Sequence, residues 1–275
     1  ISPINPISPI NPMMSDKENF RELERAERAH GERRASLKQG SDLHVPPRIF
    51  RRYQAPPADT PFAIEYSYNL LGDVLGKDVL ELGCGDGENT VLLAHRGARV
   101  CGVDVCDAMV KLARRRAQVN GFDKGVEFGV GSAHELPFRD RSFDVVFGMA
   151  VLTRLDLELA SREVWRVLRP GGYAIFKEAV RNSRLIRMTR RLFRYRPSGQ
   201  TPFGRPLTDQ ELERFAAGFS QCHGRKYQLP FVNVARWFSA LDGAAPLIYR
   251  LDHALLEHAE WLRGYATVRV IKVVK

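Results

Sequence analysis

The stretch Val79-Leu80-Glu81-Leu82-Gly83-Cys84-Gly85-Asp86-Gly87-Glu88-Asn89-Thr90 runs from a short apolar segment through a glycine-rich turn into a helix-prone segment. Glycines at the carboxyl end of a strand allow a tight turn and let the backbone approach a ligand closely. Their spacing selects the ligand. A dinucleotide fingerprint, G-x-G-x-x-G counted from Gly83, needs its third glycine at position 88, where a carboxylate stands instead. A pyrophosphate would meet Glu88 there, so NAD and FAD are disfavoured and a ligand without phosphate is favoured. No Gly-Lys-Ser/Thr follows, which excludes a Walker loop.

Outward from this turn, short apolar runs fall at 78–82, 98–103, 126–130, 143–148 and 173–177, with helical stretches at about 88–97, 107–120 and 158–169 between them. Apolar strands alternating with helices predict a parallel sheet covered by helices on both faces. The end of the chain departs from this rhythm. A helix is predicted at about 208–219, a strand near 226–232, a helical insert, and a last strand over 267–274, which together read as an antiparallel edge hairpin. Arg99-Val100-Cys101-Gly102-Val103-Asp104 ends in an acid suited to accept hydrogen bonds from a ribose diol. The alternative for Asp104 is a helix N-cap, a role for which Asp107 is equally placed.

Four segments in order carry a resemblance: Glu81 to Gly87; Gly102-Val103-Asp104; Gly131-Ser132-Ala133-His134-Glu135-Leu136-Pro137-Phe138 followed by Ser142-Phe143-Asp144-Val145-Val146; and Val167-Leu168-Arg169-Pro170-Gly171-Gly172. Together they resemble the class I S-adenosylmethionine-dependent methyltransferases, in the small-molecule group that includes ubiquinone and menaquinone methyltransferases. The resemblance spans roughly residues 60–180. It implies an α/β fold: a Rossmann-like, doubly wound, mostly parallel seven-stranded sheet with a C-terminal antiparallel edge hairpin. It implies S-adenosyl-L-methionine as cofactor and S-adenosyl-L-homocysteine as product. By this resemblance Gly83, Cys84, Gly85 and Gly87 line the methionine end of the cofactor, Glu81 lies beside the methionine amine, Asp104 with Val105 holds the ribose, and Ser132 and Ala133 lie beside adenine. Two departures stand out. Ser132 replaces an acid that relatives place near the adenine amine, and Thr153-Arg154 stands where many relatives carry histidine.

A sulfonium methyl is already activated, so positioning and desolvation supply much of the rate, and a base is needed only where the acceptor must lose a proton early. No catalytic residue announces itself. The candidates are Glu178 at the end of the fifth strand, Arg154 as an acceptor contact, His134, which otherwise reads as a solvated loop histidine, and Tyr66, which otherwise reads as a core aromatic. Arginine stays protonated and cannot replace a basic histidine.

Composition bounds the remainder. The 275 residues are 27% charged and 44% hydrophobic, ordinary globular usage that excludes wholesale disorder. Cys84, Cys101, Cys106 and Cys222 form no C-x-x-C pair, and the histidines do not cluster with them, so neither a disulfide framework nor a metal site is read. With no apolar run long enough to span a bilayer and no secretory core, a reduced, cytoplasmic protein is expected. The net charge of +10 allows a polyanionic partner without demanding one. It concentrates in an acid-free stretch from Ala179 to Thr208, where Leu185, Met188 and Leu192 share a helical face among arginines. This reads as a basic amphipathic helix over about 181–196: a lid on the acceptor pocket, with peripheral membrane contact or nucleic-acid binding as alternatives.

The expected organisation is a tag-like or disordered tail over 1–14, with Ile-Ser-Pro-Ile-Asn-Pro written twice, and an N-terminal helical arm and Pro-rich connector over 15–59. The arm, 16–38, has a thin apolar stripe and reads as solvated; 40–60 reads as extended. A methyltransferase domain follows over 60–275, with inserts at about 179–206 and 233–265. The leading function is methyl transfer to a small-molecule acceptor at O, N or C. The alternatives are an RNA- or lipid-associated methyltransferase and a non-catalytic S-adenosylmethionine-binding regulator. Phe147-Gly148-Met149-Ala150 lacks the Asn/Asp-Pro-Pro-aromatic motif of enzymes that methylate base nitrogens, which counts against RNA.

Overall fold

The structure, a computed structural model, describes residues 16–38, 42–182, 205–235 and 243–275. Its strands are β1 (Asp78–Leu82), β2 (Arg99–Asp104), β3 (Val126–Val130), β4 (Phe143–Met149), β5 (Leu168–Ala179), β6 (Gln221–Tyr227) and β7 (Val268–Val274). They form one sheet in the order β3-β2-β1-β4-β5-β7-β6. β1 to β5 run parallel, with Leu80 opposite Cys101 on one side and Val146 on the other. β7 inserts antiparallel between β5 and β6. The expected mostly parallel sheet with an antiparallel edge is the observed one.

Successive side chains of a strand point to opposite faces, and β1 shows the result. Leu80 and Leu82 join Val146 and Phe176 in one core, while Val79 joins Val145, Phe147 and Ile175 in the other. Helix α6 (Leu157–Val167) and α7 (Asp209–Ala216) cover the first face through Val164 and Phe215. On the second lie α3 (Ala63–Leu71), α4 (Glu88–His95) and α5 (Asp107–Val119), through Tyr68, Leu93 and Ala117. Burying one leucine or valine contributes roughly 1.5–3 kcal/mol, so a sheet apolar on both faces needs both helical layers.

Three expectations shift. The Pro-rich connector is not extended throughout: Pro47–Gln54 forms α2, with Pro47 in the first turn where its missing N–H is harmless. Its Phe50 stacks on His95, centroids 4.4 Å apart, and Tyr53 on Tyr68 at 4.8 Å. The strand expected near 226–232 lies earlier, at 221–227, because Pro230 starts the short helix α8 (Pro230–Ala235). β5 extends back to Leu168 through a bulge at the Arg169-Pro170-Gly171-Gly172 turn, where Gly171 has φ 74°. Helix α9 (Ala245–His258) occupies the second insert and packs Leu256 against Leu229. Most of the arginine stretch and the Trp237-Phe238 segment lie outside the described residues. Among the described residues no helix is long and apolar enough to cross a membrane.

Candidate active site

Chain turns at the carboxyl ends of β1, β2, β3 and β4 surround a cavity of about 310 Å³. The β1 turn needs its glycines for different reasons. Gly83, at φ 71°, lies on the wall, and a Cβ there would stand 2.9 Å from Val151 Cγ2. Gly85, at φ 53°, also lies on the wall. Gly87, at φ 79°, does not: a Cβ there would meet the Ala113 Cβ at 2.8 Å, so this glycine serves the packing of α4 on α5.

Asp104 ties two of these turns together. Its Oδ2 accepts from Gly85 N and its Oδ1 from Cys106 N, each at 2.9 Å. Burial raises its carboxyl from the ordinary value, while those two N–H groups, Arg154 and Arg34 pull it back. Asp104 is not the cap of α5, which begins at Asp107 behind Cys106. Cys84, Val105, Ser132 and Ala133 also reach the wall. Glu81 does not. It is buried behind the glycine turn, its carboxyl accepts from Thr90 Oγ1, and burial pushes it up to about 8. It anchors the start of α4 from behind the wall. Asn89, unmarked in the sequence reading, is on the wall instead, with Oδ1 accepting from Tyr68 Oη at 2.9 Å.

The four catalytic candidates separate. Tyr66 is away from the cavity, its ring 5.8 Å from that of Tyr227 and under the Arg225 guanidinium at 4.6 Å. Glu178 is fully buried behind Val151, and its Oε1 accepts from Val151 N and Leu152 N, each at 2.9 Å. Burial pushes this carboxyl up to about 7. It braces the β4 turn, where Ala150 holds the left-handed φ of 56°, sparsely populated for a residue with a Cβ. Arg154 is on the wall, bonded to Ala150 O at 2.9 Å and 3.4 Å from Glu27 Oε2. His134 is on the wall too, but it is not the solvated histidine expected. Its Nε2 accepts from Asp156 N at 3.0 Å, which puts the proton on Nδ1, 3.3 Å from Glu24 Oε1.

The largest correction concerns the arm. Helix α1 (Asp16–Lys38) lies across the cavity and puts Glu24, Glu27, His30, Gly31 and Arg34 on its wall. Gly31 is the point of closest approach: a Cβ there would stand 2.6 Å from Cys106 Sγ. Lys38 pairs with Asp86, which Arg116 holds from the other side at 2.7 Å. The Nε2 of His30 is buried without a hydrogen-bond partner among the described residues. Burial, with Arg34, Arg154 and Arg33, lowers its pKa, so the ring is neutral. Apolar periodicity cannot show that such a helix docks, because its docked face is polar and centred on a glycine.

The residues present fit S-adenosylmethionine. The half-buried Asp104 and the glycine turn lie on the same wall, an acid suited to a ribose diol beside backbone that a ligand can approach closely. Four acidic residues, Glu24, Glu27, Asp86 and Asp104, and two arginines, Arg34 and Arg154, share the wall, with Asp86 held by Lys38 and Arg116.

Comparison with known proteins agrees. Residues 80–176 match the family described as "Methyltransferase domain". A fatty-acid O-methyltransferase of Mycolicibacterium smegmatis is 32% identical over 206 residues, 72% of this chain and 62% of that protein. A demethylmenaquinone methyltransferase of Symbiobacterium thermophilum is 36% identical over 117 residues, 41% of this chain and 47% of that protein. The matches thus span less than two thirds of either relative's length. Among solved structures, geranyl diphosphate C-methyltransferase from Streptomyces coelicolor with S-adenosyl-L-homocysteine bound shares the fold. Its TM-score is 0.54 at 18% identity, over 76% of this chain and 74% of that one. Residues 80–176 therefore match a methyltransferase domain, on a fold shared with a methyltransferase solved with S-adenosyl-L-homocysteine bound.

Proposed function

We propose that the protein transfers a methyl group from S-adenosylmethionine to an O, N or C nucleophile of a small, lipophilic acceptor. The observation that carries this reading is the cavity itself: Asp104, Gly83, Gly85 and the α1 side chains meet at one end of the sheet. The bound cofactor supplies a methyl group already activated on a sulfonium. The chain's own residues position and enclose. Asp104 accepts from the ribose hydroxyls while keeping its bonds to Gly85 and Cys106. Cys84, Val103, Ala133 and Leu155 give apolar wall that excludes water. Glu178 fixes the Ala150-Val151-Leu152 turn that faces the reacting region. Arg34 and Arg154 are cations and cannot take a proton, and Nε2 of His134 is committed to Asp156. Where an acceptor must give up a proton, the imidazole of His30 on the wall, its buried Nε2 without a hydrogen-bond partner among the described residues, and the wall carboxylates are the groups that can accept it. The names of the two curated relatives put fatty acids and quinones first in the acceptor panel.

The test combines calorimetry with S-adenosylhomocysteine and a coupled assay of its release across fatty acids, quinols, phenols and amines. Saturable one-to-one binding and release that depends on one acceptor class are expected. Binding without release on any acceptor would favour a regulatory binder, and release only with RNA would refute the small-acceptor reading.

A further inference from the structure

We propose that Glu24 of helix α1 is the cofactor's base-reading residue, supplying the carboxylate that accepts from the adenine exocyclic amine. The inference rests on the cofactor reading above and deepens it. Strand order sets the geometry. β2 lies between β1 and β3, so a nucleoside held at Asp104 has the glycine turn of β1 on one side and the Gly131-Ser132-Ala133 turn of β3 on the other. With the aminoacyl arm on the glycine turn, the base falls at the β3 turn.

That turn brings no acid of its own to the wall, since Glu135 is exposed and off the cavity. Its Ser132 hydroxyl has one hydrogen, which it donates to Glu24, and its oxygen accepts from His134 N at 3.1 Å. The serine is thereby occupied in orienting Glu24. His134 assists. Its Nε2 takes the Asp156 N–H, so Nδ1 carries its hydrogen toward the Glu24–Ser132 pair, 3.3 Å from both Glu24 Oε1 and Ser132 Oγ. Two donors thus face one carboxylate oxygen, and among the described residues the cation paired with the other is Arg28 at 3.9 Å, half exposed. Oε2 keeps lone pairs for a ligand N–H, and a hydrogen bond to a charged acceptor is about twice as strong as one to a neutral serine. Because Glu24 belongs to α1, the reader of the base arrives only when the helix docks. Cofactor binding and α1 docking therefore stabilise each other.

The test is calorimetric binding of two ligands, S-adenosylhomocysteine and S-inosylhomocysteine, which has a carbonyl in place of the amine. The wild type is expected to prefer the adenosyl ligand by about tenfold or more, the size of a hydrogen bond to a charged group. In Glu24→Gln that preference should collapse to within about threefold, because the amide N–H donates to the inosyl carbonyl. Glu24→Ala should lose the preference through weaker adenosyl binding alone. Glu32→Gln, which removes the same charge from an exposed position of the same helix, should leave both affinities unchanged. Equal weakening of both ligands in the Glu24 variants would make Glu24 a support of α1 only and overturn the proposal. So would an unchanged preference. A wild type that binds neither ligand would overturn the cofactor reading itself.

Discussion

Replacing Gly31 with alanine pits two effects of known size against each other. Glycine inside a helix is worse than alanine by roughly 0.5–1 kcal/mol, so an undocked α1 would be stabilised by the change. In the folded protein the new methyl would stand 2.6 Å from Cys106 Sγ and 2.7 Å from Cys106 Cβ. Ordinary carbon contacts lie at about 3.5–4.0 Å, so the shortfall is roughly 1 Å. Cys106 cannot yield: it is buried, and its N–H is held by Asp104. The helix must retreat, and overpacking of this kind costs about 1–3 kcal/mol, which outweighs the propensity gain. A shift of that size breaks the Glu24–Ser132 and Lys38–Asp86 hydrogen bonds on either side of Gly31. Titration calorimetry is therefore expected to show S-adenosylhomocysteine binding weakened by about tenfold, with no rise in Tm. Cys106→Gly removes both clashing atoms and leaves an acceptable N-cap, so the Gly31→Ala/Cys106→Gly double variant should recover affinity relative to Gly31→Ala. A Gly31→Ala protein that binds the ligand as tightly as the wild type and melts higher would mean that α1 does not pack on Cys106, and the reasoning would fail.

Asp104→Ala should lower both cofactor affinity and stability, because it strands the Gly85 and Cys106 N–H groups as well as the ribose; each orphaned buried donor costs about 1–3 kcal/mol. Thermal melts with calorimetry check this, and unchanged S-adenosylhomocysteine affinity in a folded variant would refute the ribose role. Glu178, raised by burial to about 7, binds its proton more tightly folded than unfolded. Its stabilising contribution is present in full below the unfolded value near 4.5 and is lost as pH rises through 7. Glu178→Gln keeps an oxygen for Val151 and Leu152 but cannot ionise, so its Tm should gain on the wild type between pH 5 and pH 8; a constant Tm difference would sink this assignment.

The parallel core was legible in the chain because its signals are local. Apolar runs such as Val79–Leu82 and Val145–Phe147 have only one way to be buried on both faces, and a glycine turn after β1 followed by an acid ending β2 has one register in such a sheet. What stayed hidden depends on who meets whom. Glu81 and Glu178 sit toward strand ends as expected, but the pleat turns Glu81 toward Thr90 and Glu178 toward the β4 turn, and neither is on the cavity wall. Tyr66 follows the helical stripe of α3 into contact with Tyr227, far along the chain.

The sequence by itself determined the sheet and its helical layers through periodicity, and through turn chemistry and spacing a ligand without phosphate at Gly83, Gly85 and Asp104; the family resemblance added the identity of the cofactor and the wall residues Ser132 and Ala133. Only the tertiary structure decided that α1 closes the cavity. Its docked face is built of ion pairs and one glycine, and a charged residue gives no local sign of whether it will meet water or a partner more than a hundred residues away, as Glu24 meets Ser132 and Glu27 meets Arg154.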